Sequence, residues 1–148
     1  MKLSNLFPLV LITCTFLSVN DVQSLPAPDD IYEQPVPKAI RKIVKEISKA
    51  NVFVLHPPEK VTPLINGVEE NYFLLSKLAT TEELIDLIGT HKNAVVRLYA
   101  FKALTTQLHN IPSSVMDIIN NDTATITCIN RDKNEKVELK ILAQNFLN

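Results

Sequence analysis

The 148-residue sequence contains only two glycines, Gly67 and Gly89, and no tryptophan. Phosphate-binding loops such as G-x-G-x-x-G and G-x-x-x-x-G-K-[ST] need several glycines close together, so these nucleotide-binding motifs are excluded. A charge excess is also missing, because 15 basic and 16 acidic residues give a net charge of -1. No global field therefore favours nucleic acid or an acidic substrate, and we expect no nucleic-acid partner.

Groupings typical of metal and catalytic sites are absent as well. The histidines, His56, His91 and His109, lie in separate segments without H-x-x-x-H or H-E-x-x-H spacing. No G-x-S-x-G or Cys-His motif is present. Glu82 and Asp86 are four residues apart, but acids near a helix start more often offset the helix dipole. We therefore expect no catalytic residue, no metal and no cofactor, and a protein that is not an enzyme. An enzyme of unknown class is the third alternative, and it would need a pocket in which His91, an acid and Cys128 converge.

The N-terminus has the pattern of a signal peptide. Residues 6–19, LFPLVLITCTFLSV, are an uncharged apolar run of the length of a signal h-region and short for a membrane span. VQS, which ends at Ser24, fits a cleavage site, so we expect an exported protein that is periplasmic or secreted. In the alternative, LITC ending at Cys14 resembles a lipobox, and a lipidated Cys14 would make a membrane-anchored structural lipoprotein of the envelope.

The predicted domain organisation is a signal peptide at 1–24, a tether at 25–37 and a helical domain at 38–148. The tether, LPAPDDIYEQPVP, holds four prolines and three acids and is expected to be extended. Removal of the signal peptide leaves Cys128 as the remaining cysteine, which excludes an internal disulfide. A small buried apolar role is favoured for Cys128, with an intermolecular disulfide or a reactive thiol as alternatives.

Residues 38–50, KAIRKIVKEISKA, predict the first helix because their apolar side chains recur at i, i+3, i+4 and i+7. Five basic residues and one acidic residue lie between 38 and 49. This basic face is either a solvated surface or a docking surface for an anionic partner, for which an acidic protein is favoured over lipid headgroups. The candidate partner-binding residues are Arg41, Lys42, Lys45 and Lys49.

Further elements follow from local signals along the chain. Thr80 and Glu83 have capping-box spacing, Gly89 is predicted at the C′ position of the helix that they open, and Asn93 can cap the next one. The predicted helices are 68–79, 81–88, 94–109 and 113–120, with a sixth in EKVELKILAQNFL. Val52 to Leu55 is either a short strand or an extended segment, Asn66-Gly67 predicts a turn, and DTATITCIN is either a strand or a loop insertion.

The C-terminal half shows an internal repeat. EELIDLIG at 82–89 aligns with SSVMDIIN at 113–120, an offset of 31 residues from 82 to 113. The helical segments that follow each copy align less closely, and TATITCINRD enlarges the second copy. The pattern predicts two helical hairpins.

The pattern V-R-x-x-A-x-x-A-L, with T-x-E-E-L-x-x-L before it, resembles HEAT-like helical repeats and is similar to short exported bacterial proteins that carry them. The residues of this structural repeat are Asp86, Val96, Arg97, Ala100, Ala103 and Leu104. The resemblance implies an all-α fold, with one short strand or extended segment allowed, in which hairpins stack as a short right-handed α-array.

In this family the arginine typically fastens neighbouring helices, which implies a structural Arg97 paired with Asp86 or Asp117. Such scaffolds host many roles. We expect a non-catalytic protein-protein interaction or scaffold module of the bacterial envelope with an unidentified protein partner, and membrane attachment only if Cys14 is lipidated.

Overall fold

Six helices and three strands occupy residues 37–147, which are the residues that the computed structural model describes. The predicted signal peptide, Cys14 and the tether up to residue 36 lie outside the described residues. The elements are α1 (Lys38–Ala50), β1 (Val52–His56), α2 (Pro63–Leu78), α3 (Thr81–Thr90), α4 (Ala94–Gln107), α5 (Ser113–Asn121), β2 (Thr125–Asn130), β3 (Lys133–Glu138) and α6 (Leu139–Gln144).

The strands form one mixed sheet in the order β1-β2-β3. β1 pairs with β2 in parallel, with Phe53 opposite Cys128, and β2 pairs with β3 as an antiparallel hairpin. Arg131, with φ 56°, occupies the left-handed region in the hairpin turn. The prediction of an all-α, HEAT-like stack of hairpins in a right-handed array is therefore wrong, and the fold is a mixed α/β fold.

The physical reason lies in the segment after α5. Ile126 and Cys128 are buried on alternate positions, which suits a strand with one face toward the core. Once β2 is extended, its backbone groups need partners, and residues 133–138 supply them from the other side. The predicted sixth helix is consequently cut to Leu139–Gln144.

Local signals fix several helix ends. The predicted capping box is confirmed, because Thr80 and Glu83 each bond the other's backbone N–H. Gly89 is not a C′ residue but lies within α3, which continues to Thr90. The predicted turn at Asn66-Gly67 is also wrong. α2 starts earlier, with Pro in its first turn and Thr62 as the N-cap, a favourable combination for a helix start.

The core is organised around α4, which packs against α1, α2, α3 and α6 as well as the sheet. A helix that is apolar on most sides is typical of such a central position. Two alanines, Ala100 and Ala103, are fully buried in it, and their small side chains allow close approach of neighbouring elements. Tyr99 closes the free edge of β1, because its hydroxyl accepts a hydrogen bond from the Val54 N–H at 3.0 Å.

Candidate functional site

A groove of about 600 Å³ lies between α1 and α3. Both helices pack against α4, and the groove is the space between their facing sides. Val44 and Leu87 line it and are nearly buried, at 9% and 7% exposed, so they form an apolar base. Clefts that bind ligands commonly enclose about 300–1,000 Å³. The groove is therefore large enough to receive the side chains of a partner.

One side of the groove is formed by cations of α1. These residues, called the basic wall, are Arg41, Lys45 and Lys49. Because they are four residues apart, their side chains leave the helix on one side, about one turn from each other. The buried stripe of α1, Ile40, Ile43, Val44 and Ile47, fixes the rotation of the helix and turns this side to the groove. Lys42 is exposed but does not line the groove.

The basic wall faces a single carboxylate. Asp86 of α3 lines the opposite side of the groove, with Thr90 and His91 beside it. Within residues 37–147 the ion pairs join other side chains, so the three cations of the basic wall have no carboxylate partner there. Three positive charges against one negative charge give the groove a positive potential, which favours anionic groups.

The end of the groove at Ser48 is held by Asn93, the predicted N-cap of α4, which the structure confirms. Its Oδ1 accepts hydrogen bonds from the Val95 and Val96 N–H groups at 2.8 and 3.2 Å. Its Nδ2 donates to Asn51 Oδ1 at 2.9 Å and to the Ser48 carbonyl at 3.4 Å. One side chain thereby ties the start of α4 to the end of α1 and keeps the basic wall in place relative to the core.

Arg97 makes a partly buried ion pair. Its Nε donates to Asp122 Oδ2 at 2.8 Å, and its Nη2 lies 2.7 Å from the same oxygen. Its Nη1 donates to the carbonyls of His91 and Lys92 at 2.9 and 3.2 Å. Arg97 therefore joins α4 to the turn that precedes it and to the residue that follows α5.

The acids that the sequence indicates as partners for Arg97 lie elsewhere. Asp86 is on the side of the groove, and Asp117 is an exposed residue of α5. Asp122 follows α5 directly and has no counterpart in the repeat pattern, so sequence spacing did not single it out. The remaining residues of the pattern are fully buried in α4. They are Val96, Ala100, Ala103 and Leu104.

A second cluster, which sequence reasoning missed, surrounds the ammonium group of Lys102. Its Nζ lies 4.2 Å from the ring centroid of Tyr72, 5.5 Å from Phe53, 5.9 Å from Tyr99 and 6.0 Å from Phe146. We call these five residues the aromatic cluster. The rings come from β1, α2, α4 and the residues after α6, so only the three-residue spacing of Tyr99 and Lys102 was visible in the sequence.

Burial shifts the pKa values of three groups in the aromatic cluster. Loss of solvation lowers the pKa of Lys102, and attraction to Glu69 partly opposes that change. Loss of solvation raises the pKa of Tyr72 and, more strongly, that of Tyr99. Among the described residues, Glu69 Oε1 is a buried oxygen without a hydrogen-bond partner. A structural role accounts for the aromatic cluster: the rings pack together, and they and Glu69 offset the charge of Lys102. Cation-π attraction is strongest for a desolvated cation such as this one.

The raised pKa of Tyr99 predicts a loss of stability in alkaline solution. Above pH 10.0, the ordinary value, the unfolded chain releases this phenolic proton while the folded chain retains it. The folded state then binds more protons, so the free energy of unfolding falls as pH rises. We expect urea denaturation between pH 9 and 11 to show this decline, and Tyr99→Phe to flatten it. An equal slope in both proteins would contradict the burial of the phenol.

Cys128 is buried in β2, in keeping with a small apolar role. Burial, with a smaller effect from Glu135, raises the pKa of its thiol, which lowers the thiolate fraction that reaction requires. His91 and Asp86 line the groove, but Cys128 does not. The structure thus does not bring together the cysteine, the histidine and the acid that a nucleophilic site would need.

Comparison with protein-family models, with curated proteins and with solved structures gives no match. In the part of the chain from 37 to 147, no helix combines the length and the apolar character that a membrane crossing requires. The same residues contain no group of three or more His, Cys, Asp or Glu side chains arranged to hold a metal ion.

Proposed function

We propose that this domain is a non-catalytic protein-binding module and that its partner binds in the groove between α1 and α3. One observation carries the proposal: three cations that have no carboxylate partner within residues 37–147 stand beside an apolar base in one groove. From the sequence, the basic face of α1 is either a solvated surface or a docking surface. The groove places apolar side chains beside these cations, and a docking surface needs both.

The two components would contribute differently to binding. Exposed charges speed association and select partners of opposite sign, while apolar contact and exclusion of water supply much of the affinity. Eight positions separate the first of the three cations from the last, which is about 12 Å along the axis of α1. A partner that engages all three must present several anionic groups in a row, as an acidic protein segment does and a single small anion does not.

The cellular setting of this function follows from the sequence alone. The signal peptide predicted at 1–24 would bring the domain to the bacterial envelope or the exterior, where its partner would be found. A lipidated Cys14 would in addition hold the domain at a membrane.

A charge reversal in the groove tests the proposal. We expect Lys45→Glu to reduce recovery of the partner from envelope extract by at least about tenfold, equivalent to about 1.4 kcal/mol. The measurement is a pull-down with the full chain that carries a photo-crosslinking residue at Ser48, read by mass spectrometry. Ser48 lines the groove, so a crosslinked protein is located as well as identified.

Lys42→Glu is the matched control, because it makes the same change of charge on the same helix outside the groove. Recovery close to that of the parent protein is expected. Equal loss in both variants would attribute binding to the overall charge of α1, and full retention in both would exclude the groove. Either result contradicts the proposal.

A further inference from the structure

The shape of the groove restricts the kind of protein segment that it can hold. α1 and α3 lie on the same central helix with the groove between them, so a segment bound in the groove contacts both helices. The groove is lined by side chains of α1 and α3 and by His91. The amide and carbonyl groups of the two helices are largely used within the helices themselves.

This lining favours a helix over an extended segment. An extended peptide brings unpaired backbone N–H and C=O groups, and it binds well where a sheet edge supplies partners for them. Two helix faces supply few such partners. A helical segment satisfies its own backbone and offers only side chains, which is how amphipathic helices enter apolar grooves.

The charges of the groove define the faces of such a helix. If the bound helix carries carboxylates four residues apart, their spacing along the helix axis equals that of the cations of the basic wall. Each carboxylate can then approach one cation. The apolar base, Val44 and Leu87, requires an apolar stripe beside the acidic flank. Asp86, on the opposite side, would pair with a cation on the other flank of the same helix.

Building on the proposed function, we infer that the partner element is an acidic amphipathic α-helix, which lies along α1 over the groove between α1 and α3. Its acidic flank contacts Arg41, Lys45 and Lys49, its apolar stripe covers Val44 and Leu87, and a cation on its other flank faces Asp86.

Three synthetic peptides test the inference. The first places glutamates, apolar residues and a lysine on the three faces just described and is helical by circular dichroism. The second has the same composition in an order without helical amphipathicity, and the third is the first with a central residue replaced by proline. With the full chain and fluorescence anisotropy, we expect the first to bind at least about tenfold more tightly than the other two.

Variants of the chain locate the peptide. Lys45→Glu, and Lys45→Ala as a milder second variant, should weaken binding of the helical peptide, by at least about tenfold for the reversal. Lys42→Glu should leave it within about threefold. Asp86→Lys should weaken it as well, because a cation would then face the peptide's lysine. Thermal unfolding of each variant verifies that the fold is intact.

The outcomes separate this inference from the proposed function. If all three peptides bind equally well and depend on Lys45, an extended acidic segment is the partner element, and only the inference is overturned. If no peptide binds but a partner captured from extract depends on Lys45, the helix is again excluded and the groove retained. If Lys45→Glu abolishes binding to vesicles of anionic phospholipid while no peptide binds, the ligand is a lipid surface and both statements are wrong.

Discussion

A Phe53→Ala variant is expected to lose about 3–5 kcal/mol of the free energy of unfolding. Phe53 is fully buried, and its ring centroid lies 4.8 Å from that of Tyr99 and 5.8 Å from that of Phe146. Alanine would leave a cavity bordered by these rings and by Lys102. Because a domain of this size is commonly stable by about 5–15 kcal/mol, the loss would remove a large share of the free energy of unfolding.

Phe73→Ala is the matched control for this truncation. The Phe73 ring is on α2 and 58% exposed, so its removal should change the free energy of unfolding by no more than about 0.5 kcal/mol. Urea denaturation followed by circular dichroism measures both variants. A loss below about 1 kcal/mol for Phe53→Ala would contradict the description of the aromatic cluster as a packed part of the core.

An Arg97→Met variant is expected to lose about 3 kcal/mol of the free energy of unfolding, as is typical when one partner of a buried ion pair is removed. The side chains of Arg97 and Asp122 are 16% and 10% exposed, so the carboxylate would remain poorly solvated and without its counterion. The carbonyls of His91 and Lys92 would lose a donor at the same time. Methionine preserves most of the volume, which isolates the electrostatic loss.

Lys140→Met provides the comparison for an exposed ion pair. Lys140 and Glu138 are 37% and 44% exposed in their side chains, so this change should cost no more than about 0.5 kcal/mol. Adding Asp122→Asn to Arg97→Met should restore part of the lost stability, because the uncompensated charge is gone. Equal effects of Arg97→Met and Lys140→Met in urea denaturation would show that Arg97 is not a structural fastening.

The features that the sequence predicted well depend on neighbours within a turn or two. The capping box at Thr80, the N-cap at Asn93 and the apolar stripe of α1 all operate through contacts between residues up to seven positions apart. The segment from Val52 was left open between a strand and an extended segment, and it forms β1. The preference of this segment for extended backbone is set by its own residues, whereas its pairing partner, β2, lies far away in the sequence.

The errors come from strand pairing, which depends on contacts between segments and not on the pattern within one segment. Residues 133–138, KNEKVE, carry no strong strand pattern and become β3 because β2 needs an antiparallel partner. The repeat in α3 and α5 is present in the sequence, but similar helices do not ensure similar partners. A hairpin of strands follows α5, and its second strand, β3, takes up the start of the segment in which the sixth helix was predicted. The resemblance to HEAT-like hairpins therefore led to the wrong architecture.

The candidate site was predicted in part. All four candidate cations are on α1 as expected, since the helical period placed them on its polar side. The packing of α3 on α4 determines which of these cations line the groove. It also places Asp86 and Leu87 across from them. The aromatic cluster was beyond reach for the same reason, because its rings come from distant parts of the chain.

The parallel pairing of β1 with β2 has a consequence for biosynthesis. His56 and Asn130, at the ends of the two strands, are 74 positions apart. When β1 leaves the ribosome, its pairing partner has yet to be translated, and at about 5–20 residues per second the strand waits several seconds. During that interval Val52 to Leu55 is an unpaired apolar strand, which is the kind of segment that chaperones retain and that aggregates when they do not.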